Sequence, residues 1–196
     1  MARTPAPGTR ERILDSADRL FYEKGVHAVG LQEVVDDCGC GKNLLYREFA
    51  SKDDLVGAYL ERRHQQWLEQ VDEALTPLTG DPGQQIIALV RIVASHVSAP
   101  EYCGCPFLRA HGEHADGPHP AREVPIAHVQ ELSDQLHVLA KRARLRRPRA
   151  VADRILLIIE GLYATGAVLG AGVVRSALDF AEDVVRDAAP GRDRSV

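Results

Sequence analysis

The chain has 196 residues, 45% hydrophobic and 27% charged, enough to bury the core of one or two domains and too apolar for extended disorder. Its 24 Lys and Arg against 28 Asp and Glu leave a net charge of −4. Bulk attraction to a polyanion is therefore excluded, and any nucleic-acid binding needs local placement of charge. MARTPAPGTR holds no apolar h-region, so no secretory leader is expected. Four cysteines are too few for a disulfide scaffold, and reduced thiols in a cytoplasmic protein are the expectation.

Residues 1–8 are Pro/Gly-rich and expected to be disordered. Ile13, Leu14, Ala17, Leu20 and Phe21 then recur at helical spacing, with Thr9 placed to cap and Gly25 to stop. Residues 31–49 hold two short helical stretches split by Cys38-Gly39-Cys40-Gly41. Ser51 caps a long helix whose apolar positions run Leu55, Tyr59, Trp67, Val71, Leu75, broken by Arg62 and Arg63. After Pro77, Gly80, Pro82 and Gly83, another helix carries Ile86, Val90, Val93 and Val97. A loop with Cys103-Gly104-Cys105-Pro106 leads to a short helix at about 107–111 and a loop at 112–120. Ile126, Val129, Leu132, Leu136 and Leu139 form the next stripe, followed by the basic run Lys141, Arg142, Arg144, Arg146, Arg147, Arg149. Helices at 150–169 and about 174–188 close the chain. Strand alternation and internal repeats are missing, so the fold class is all-α.

Residues 155–174 are nearly uncharged and resemble a membrane span with positive flanks. Glu160 would cost about 2.5–3.5 kcal/mol near a bilayer centre, and four glycines weaken the helix further. A helix buried inside the protein or between subunits is expected instead.

Two short helices joined by a Gly-containing turn make residues 31–49 a helix-turn-helix. Val34, Val35, Cys38, Leu45 and Phe49 can face inward, which leaves Lys42, Asn43, Tyr46 and Arg47 outside, suited to base edges and phosphates. At residues 25–55, notably Leu45-Tyr46-x-x-Phe49-x-Ser51-Lys52-x-x-Leu55, the sequence resembles the DNA-binding domain of tetracycline-repressor (TetR) family regulators. That resemblance, over about residues 9–58, implies a three-helix DNA-binding domain at 9–55. It implies a larger ligand-binding and dimerisation domain at 56–190. It also implies phosphate contacts from Tyr46 and Lys52, and a major-groove face of Lys42, Asn43, Leu44 and Arg47. Gly30 and Gly41 stand where the family usually has Ser or Thr caps, a change costing a few tenths of a kcal/mol. Leu44 replaces a common Thr and trades a hydrogen bond for apolar contact. Eight basic and ten acidic side chains in residues 1–60 make modest non-specific affinity the expectation, partly offset by Arg3, Arg10 and Arg12 in the N-terminal arm.

The reading is a homodimeric regulator, a repressor released from a double-stranded operator by a small-molecule effector, with no cofactor, no metal, no membrane partner and no enzymatic activity. The effector is expected between the helices beginning near 52, 84, 104 and 120, lined by Trp67, Val71, Val90, Val93, Phe107, Val129 and Leu132, with Arg91, His96, Cys105 and His111 for polarity. Arg91 is expected at its helix's edge. The dimer is expected through Leu156, Ile159, Leu162, Tyr163 and Val168 with Phe180, Ala181 and Val184. Cys38 and Cys40 are expected as small core residues. The alternative function is a thiol- or metal-responsive regulator sensing through Cys103/Cys105, although Cys-x-Cys is too tight for structural zinc. The basic run is expected to cap the preceding helix.

Overall fold

The structure, a computed structural model, describes residues 8–114 and 118–191. Among these are nine α-helices and no strand: α1 (Thr9–Lys24), α2 (Leu31–Cys38), α3 (Lys42–Glu48), α4 (Lys52–Leu75), α5 (Pro82–Ser98), α6 (Pro106–Glu113), α7 (Pro120–Arg142), α8 (Pro148–Leu169) and α9 (Val174–Ala188). The disorder expected of residues 1–7, the role expected of Arg3 and the middle of the 112–120 loop lie outside the described residues. Two compact units divide the chain, one from Met1–Gln65 with Pro106–Ala127, the other from Gln66–Cys105 with His128–Val196. Both α4 and α7 begin in the first unit and end in the second. The boundary proposed at 55/56 falls after the first turn of α4, a helix continuous to Leu75.

In the first unit, α1 buries Ile13, Leu14, Ala17, Leu20 and Phe21, and packs against α2 and α3. Thr9 does not cap it. Gly8, left-handed at φ 82, takes the N-cap and Thr9 is buried in the first turn. Ser51 caps α4 reciprocally with Asp54: Ser51 Oγ accepts from the Asp54 N–H at 3.0 Å, and Asp54 Oδ2 from the Ala50 N–H at 3.1 Å. The polar breaks Arg62 and Arg63 bind α4 to α1. Arg62 pairs with Glu11 and with Asp15 (2.6 Å), while Arg63 grips Asp18 bidentately at 2.8 and 2.7 Å. Burial pushes the Asp18 carboxyl up, against the pull of Arg63.

In the second unit, α5 buries nine residues and packs against α8 and α9. Asp81 caps it through the Gln84 N–H at 3.0 Å. Gly166 lets α8 approach α5, because a Cβ there would stand 2.3 Å from Val97 Cγ1. The stretch Pro148–Ala188, from α8 through α9, is long and apolar enough by length and composition to cross a membrane. Within its own chain α8 is buried on one side: Ile155, Ile159, Leu162 and Tyr163 are buried, while Leu157 is 72% and Val168 80% exposed. The dimer face expected from sequence is corrected by the same periodicity. Ile159, Leu162, Tyr163 and Ala181 turn into their own chain, and the outward apolar surface is Leu157, Val168, Leu169 and Phe180.

Glu160 sits part-buried on α8 with Oε2 inaccessible and unpaired, and burial pushes its carboxyl up. The folded chain thus holds a proton that the unfolded chain has released, and stability falls as pH rises between the ordinary and the raised value. Glu160→Gln removes that dependence. The Tm at pH 7 is expected to rise by about 2 °C, as for a relieved polar group in a chain of this size, and a scan showing no gain contradicts this.

Candidate nucleic-acid interface

The turn between α2 and α3 rests on Gly39, left-handed at φ 62. Its N–H and that of Cys40 both return to the Val35 carbonyl, as a helix ending on glycine does. Gly30 and Gly41 occupy the N-cap positions of α2 and α3 in extended conformation. Val34, Val35, Leu45 and Phe49 are buried and fix the two helices by apolar packing. Cys38 and Cys40 depart from the expectation of small buried core residues: both are half-buried, and the Gly39 turn brings their Cα atoms to 5.4 Å.

Arg12 Nη2 donates to the Cys38 carbonyl at 2.9 Å, holding the end of α2 against α1. Asp37 accepts from Ser16 and pairs with Arg19, which together hold its carboxyl below the usual range. Such exposed ion pairs are screened by solvent, so the apolar core decides the geometry.

That core leaves one face of α3 outside. Lys42, Asn43 and Arg47 are exposed, Tyr46 is 45% exposed and Leu44 is half-buried. The Lys42 ammonium lies 5.9 Å from the Tyr46 ring centre, and Arg47 Nε lies 3.8 Å from Glu48 Oε1. Lys52, half-buried at the start of α4, donates to the His27 carbonyl at 3.4 Å. Burial holds its ammonium below the usual lysine range, opposed by Glu113 and Asp53. Arg10, noted from sequence only as part of the N-terminal arm, stacks its guanidinium 4.5 Å from the Phe49 ring centre.

Sequence reasoning missed the grip of α6 on this domain. Glu113 Oε2 accepts from the His27 N–H at 2.5 Å, and Arg109 donates to the Tyr22 carbonyl. A Cβ at Gly25 would meet Glu113 Oε1 at 2.5 Å, so the left-handed glycine (φ 91) that ends α1 also makes room for this carboxylate. Residues 27 and 113 carry no local pattern that pairs them.

The eleven expected effector-site residues divide between the units. Phe107 (buried) and His111 (exposed) belong to the first, and the other nine to the second. There Trp67, Val71, Val90, Val93, Cys105 and Leu132 are buried, Val129 is half-buried, and Arg91 is exposed and pairs with Glu182 at 3.5 Å. A shallow cleft of about 420 Å³ opens beside them, lined by Gln70, Glu73, Ala74, Ile92, Ser95 and His96. His96 bridges Gln70 Oε1 (2.7 Å) and the Tyr163 hydroxyl (3.3 Å). The Trp67 ring stands edge-on to both His96 and His128. Exposed Cys103 and buried Cys105 are not joined, and among the described residues no group of three His, Cys, Asp or Glu could hold a metal ion.

An all-α chain with a helix-turn-helix at its N-terminal end and a separate helical unit after it is a regulator-like architecture. Residues 13–59 match the family described as bacterial regulatory proteins, tetR family. A TetR-family transcriptional regulator from Streptomyces coelicolor superposes with a TM-score of 0.87 at 29% identity, over 92% of this chain and 96% of that one. A putative TetR regulator from Streptomyces avermitilis gives 0.72 at 26% identity, over 89% and 98%. Among curated relatives, the transcriptional activator FasR of Mycolicibacterium smegmatis is 35% identical over 88 residues, 45% of this chain and 40% of that protein. UidR of Escherichia coli is 28% identical over 112 residues, 50% and 57%. The chain thus spans about half the length of these curated relatives or less. In sequence over residues 13–59, and in fold over 92% of its length, the chain is similar to TetR-family transcriptional regulators.

Proposed function

We propose that the protein is a dimeric repressor that binds a double-stranded operator in the cytoplasm through α3 and leaves it when a small molecule occupies the second unit. The observation that carries this reading is the outward face of α3. It presents a lysine, an asparagine, a tyrosine and an arginine over a rigid apolar base, the donor set that reads guanine and adenine edges and holds phosphates. In this reading Lys42, Asn43, Leu44 and Arg47 face the major groove, and Tyr46 and Lys52 hold phosphates. The FasR relative is named an activator. A reporter gene downstream of the selected operator separates the two outcomes, with repression expected in the absence of effector.

Release is a population shift. An effector that binds one state a few kcal/mol more tightly moves the equilibrium. Helix α4 carries the change, being one continuous helix from the Lys52 end to Leu75. Through Arg109 and Glu113, α6 holds the last turn of α1 and the turn that precedes α2.

The effector site of this reading lies in the second unit around Trp67, Val71, Val90 and Val93, with Arg91, Cys105, Val129 and Leu132 as further candidates. The His96–Gln70–Tyr163 network beside the open cleft supports polar recognition there. A thermal-shift screen of metabolites is expected to find a compound that raises Tm and releases DNA. His96→Ala is expected to weaken its binding about tenfold, as for loss of a partly buried hydrogen bond, with DNA affinity unchanged. Equal stabilisation of His96→Ala and wild type would move the effector elsewhere.

A further inference from the structure

The basic run between α7 and α8 does more than cap a helix. Arg142 donates to the Thr79 carbonyl at 3.4 Å, and Arg149 pairs with Asp134 (3.8 Å) and Asp153 (3.3 Å). Arg146, Arg147 and Arg154 are used differently. They line a half-enclosed cleft of about 310 Å³ between the start of α8 and the end of α9, with Val151 and Val184 as apolar wall and Asp187 as the one acidic side chain. The Arg146 N–H donates to the Ala188 carbonyl at 2.8 Å and its Nη2 to the Asp187 carbonyl at 2.7 Å. The first anchors the backbone and the second fixes the guanidinium at the rim, leaving further donors on it. Arg147 is the left-handed N-cap of α8 (φ 52), and Arg154 follows two turns later on the same face. Among the described residues neither has a carboxylate within ion-pairing distance. A chain with a surplus of acids has therefore gathered three guanidinium groups against one carboxylate in a concavity. Planar guanidinium groups match phosphate oxygens bidentately. The volume lies at the lower end for small-molecule pockets, which suits a compact polyanion and not a nucleic-acid duplex.

We propose that this cleft binds a small, multiply charged phosphate compound at a site separate from α3 and from the His96 cleft. Inorganic pyrophosphate is the test ligand, titrated calorimetrically into the full chain at constant ionic strength. Saturable binding in the millimolar range or tighter is expected, weakened about tenfold or more in Arg147→Gln/Arg154→Gln, since each lost charge-assisted bond is a strong one. The single Arg154→Gln variant, on an exposed position inside α8, keeps the test open if the double variant does not fold, and it is expected to bind several-fold more weakly. Exposed Arg175, at the far end of α9, is the control, and Arg175→Gln is expected to bind as wild type. Absent saturation in wild type, unchanged binding in the Arg147 and Arg154 variants, or equal loss in Arg175→Gln each overturns the proposal.

Discussion

Phe180→Asp is expected to leave the protein monomeric and to abolish tight operator binding. Phe180 is 65% exposed on α9, and Leu157 (72%), Val168 (80%) and Leu169 (66%) add to the outward apolar surface of the same pair of helices. Burying each such side chain in a partner copy contributes about 1.5–3 kcal/mol, and a carboxylate in that setting costs several kcal/mol. Light scattering should report 21.5 kDa for the variant and twice that for wild type. Because two recognition helices on one dimer bind with the advantage of effective concentration, the monomer should lose about 10²–10⁴-fold in affinity. A Phe180→Asp protein that remains a dimer would place the subunit contact on another face.

Arg47→Ala is expected to cost about 1–3 kcal/mol per base pair read on the preferred site, roughly 5–150-fold, and to relax specificity at one position of each half-site. The backbone beneath Arg47 is fixed by buried Leu45 and Phe49, so the loss is one of recognition and the variant's helicity should be unchanged. Lys52→Ala provides the contrast. Its ammonium, held against the His27 carbonyl, is expected to serve a phosphate, so its removal weakens all sequences alike and flattens the salt dependence. Titrations of both variants over a range of salt, on selected and scrambled duplexes, check the pair. Equal relaxation of specificity by both would undo the division of roles.

What could be read from the sequence was mostly what local chemistry dictates. The helix-turn-helix was legible because Gly39 and the spacing of Val34, Val35, Leu45 and Phe49 all lie within sixteen residues. The cap of α4 was equally legible in Ser51. Thr9 misled because a capping residue type one position inside a helix looks like a cap, and only the left-handed Gly8 decides it. Faces of α8 were illegible for a different reason: a helix apolar all round has no moment to say which residues turn inward. Ile159 and Tyr163 therefore looked as available to a partner as Val168. The grip of Glu113 on the His27 N–H spans 86 residues and needs the tertiary fold. The Arg147 cleft was hidden because the run reads as one solvated stretch, while the fold sends Arg149 to carboxylates and Arg146, Arg147 and Arg154 to a concavity.

The central claim is that a dimer reads DNA through α3, and selection from randomised duplexes tests it most directly. Wild-type protein is expected to enrich an inverted repeat with two half-sites related by the protein's two-fold axis. Arg47→Ala is expected to lose one base position in each half while keeping the half-site spacing. Enrichment of no sequence, or of a site unchanged by Arg47→Ala and Asn43→Ala together, would contradict the account.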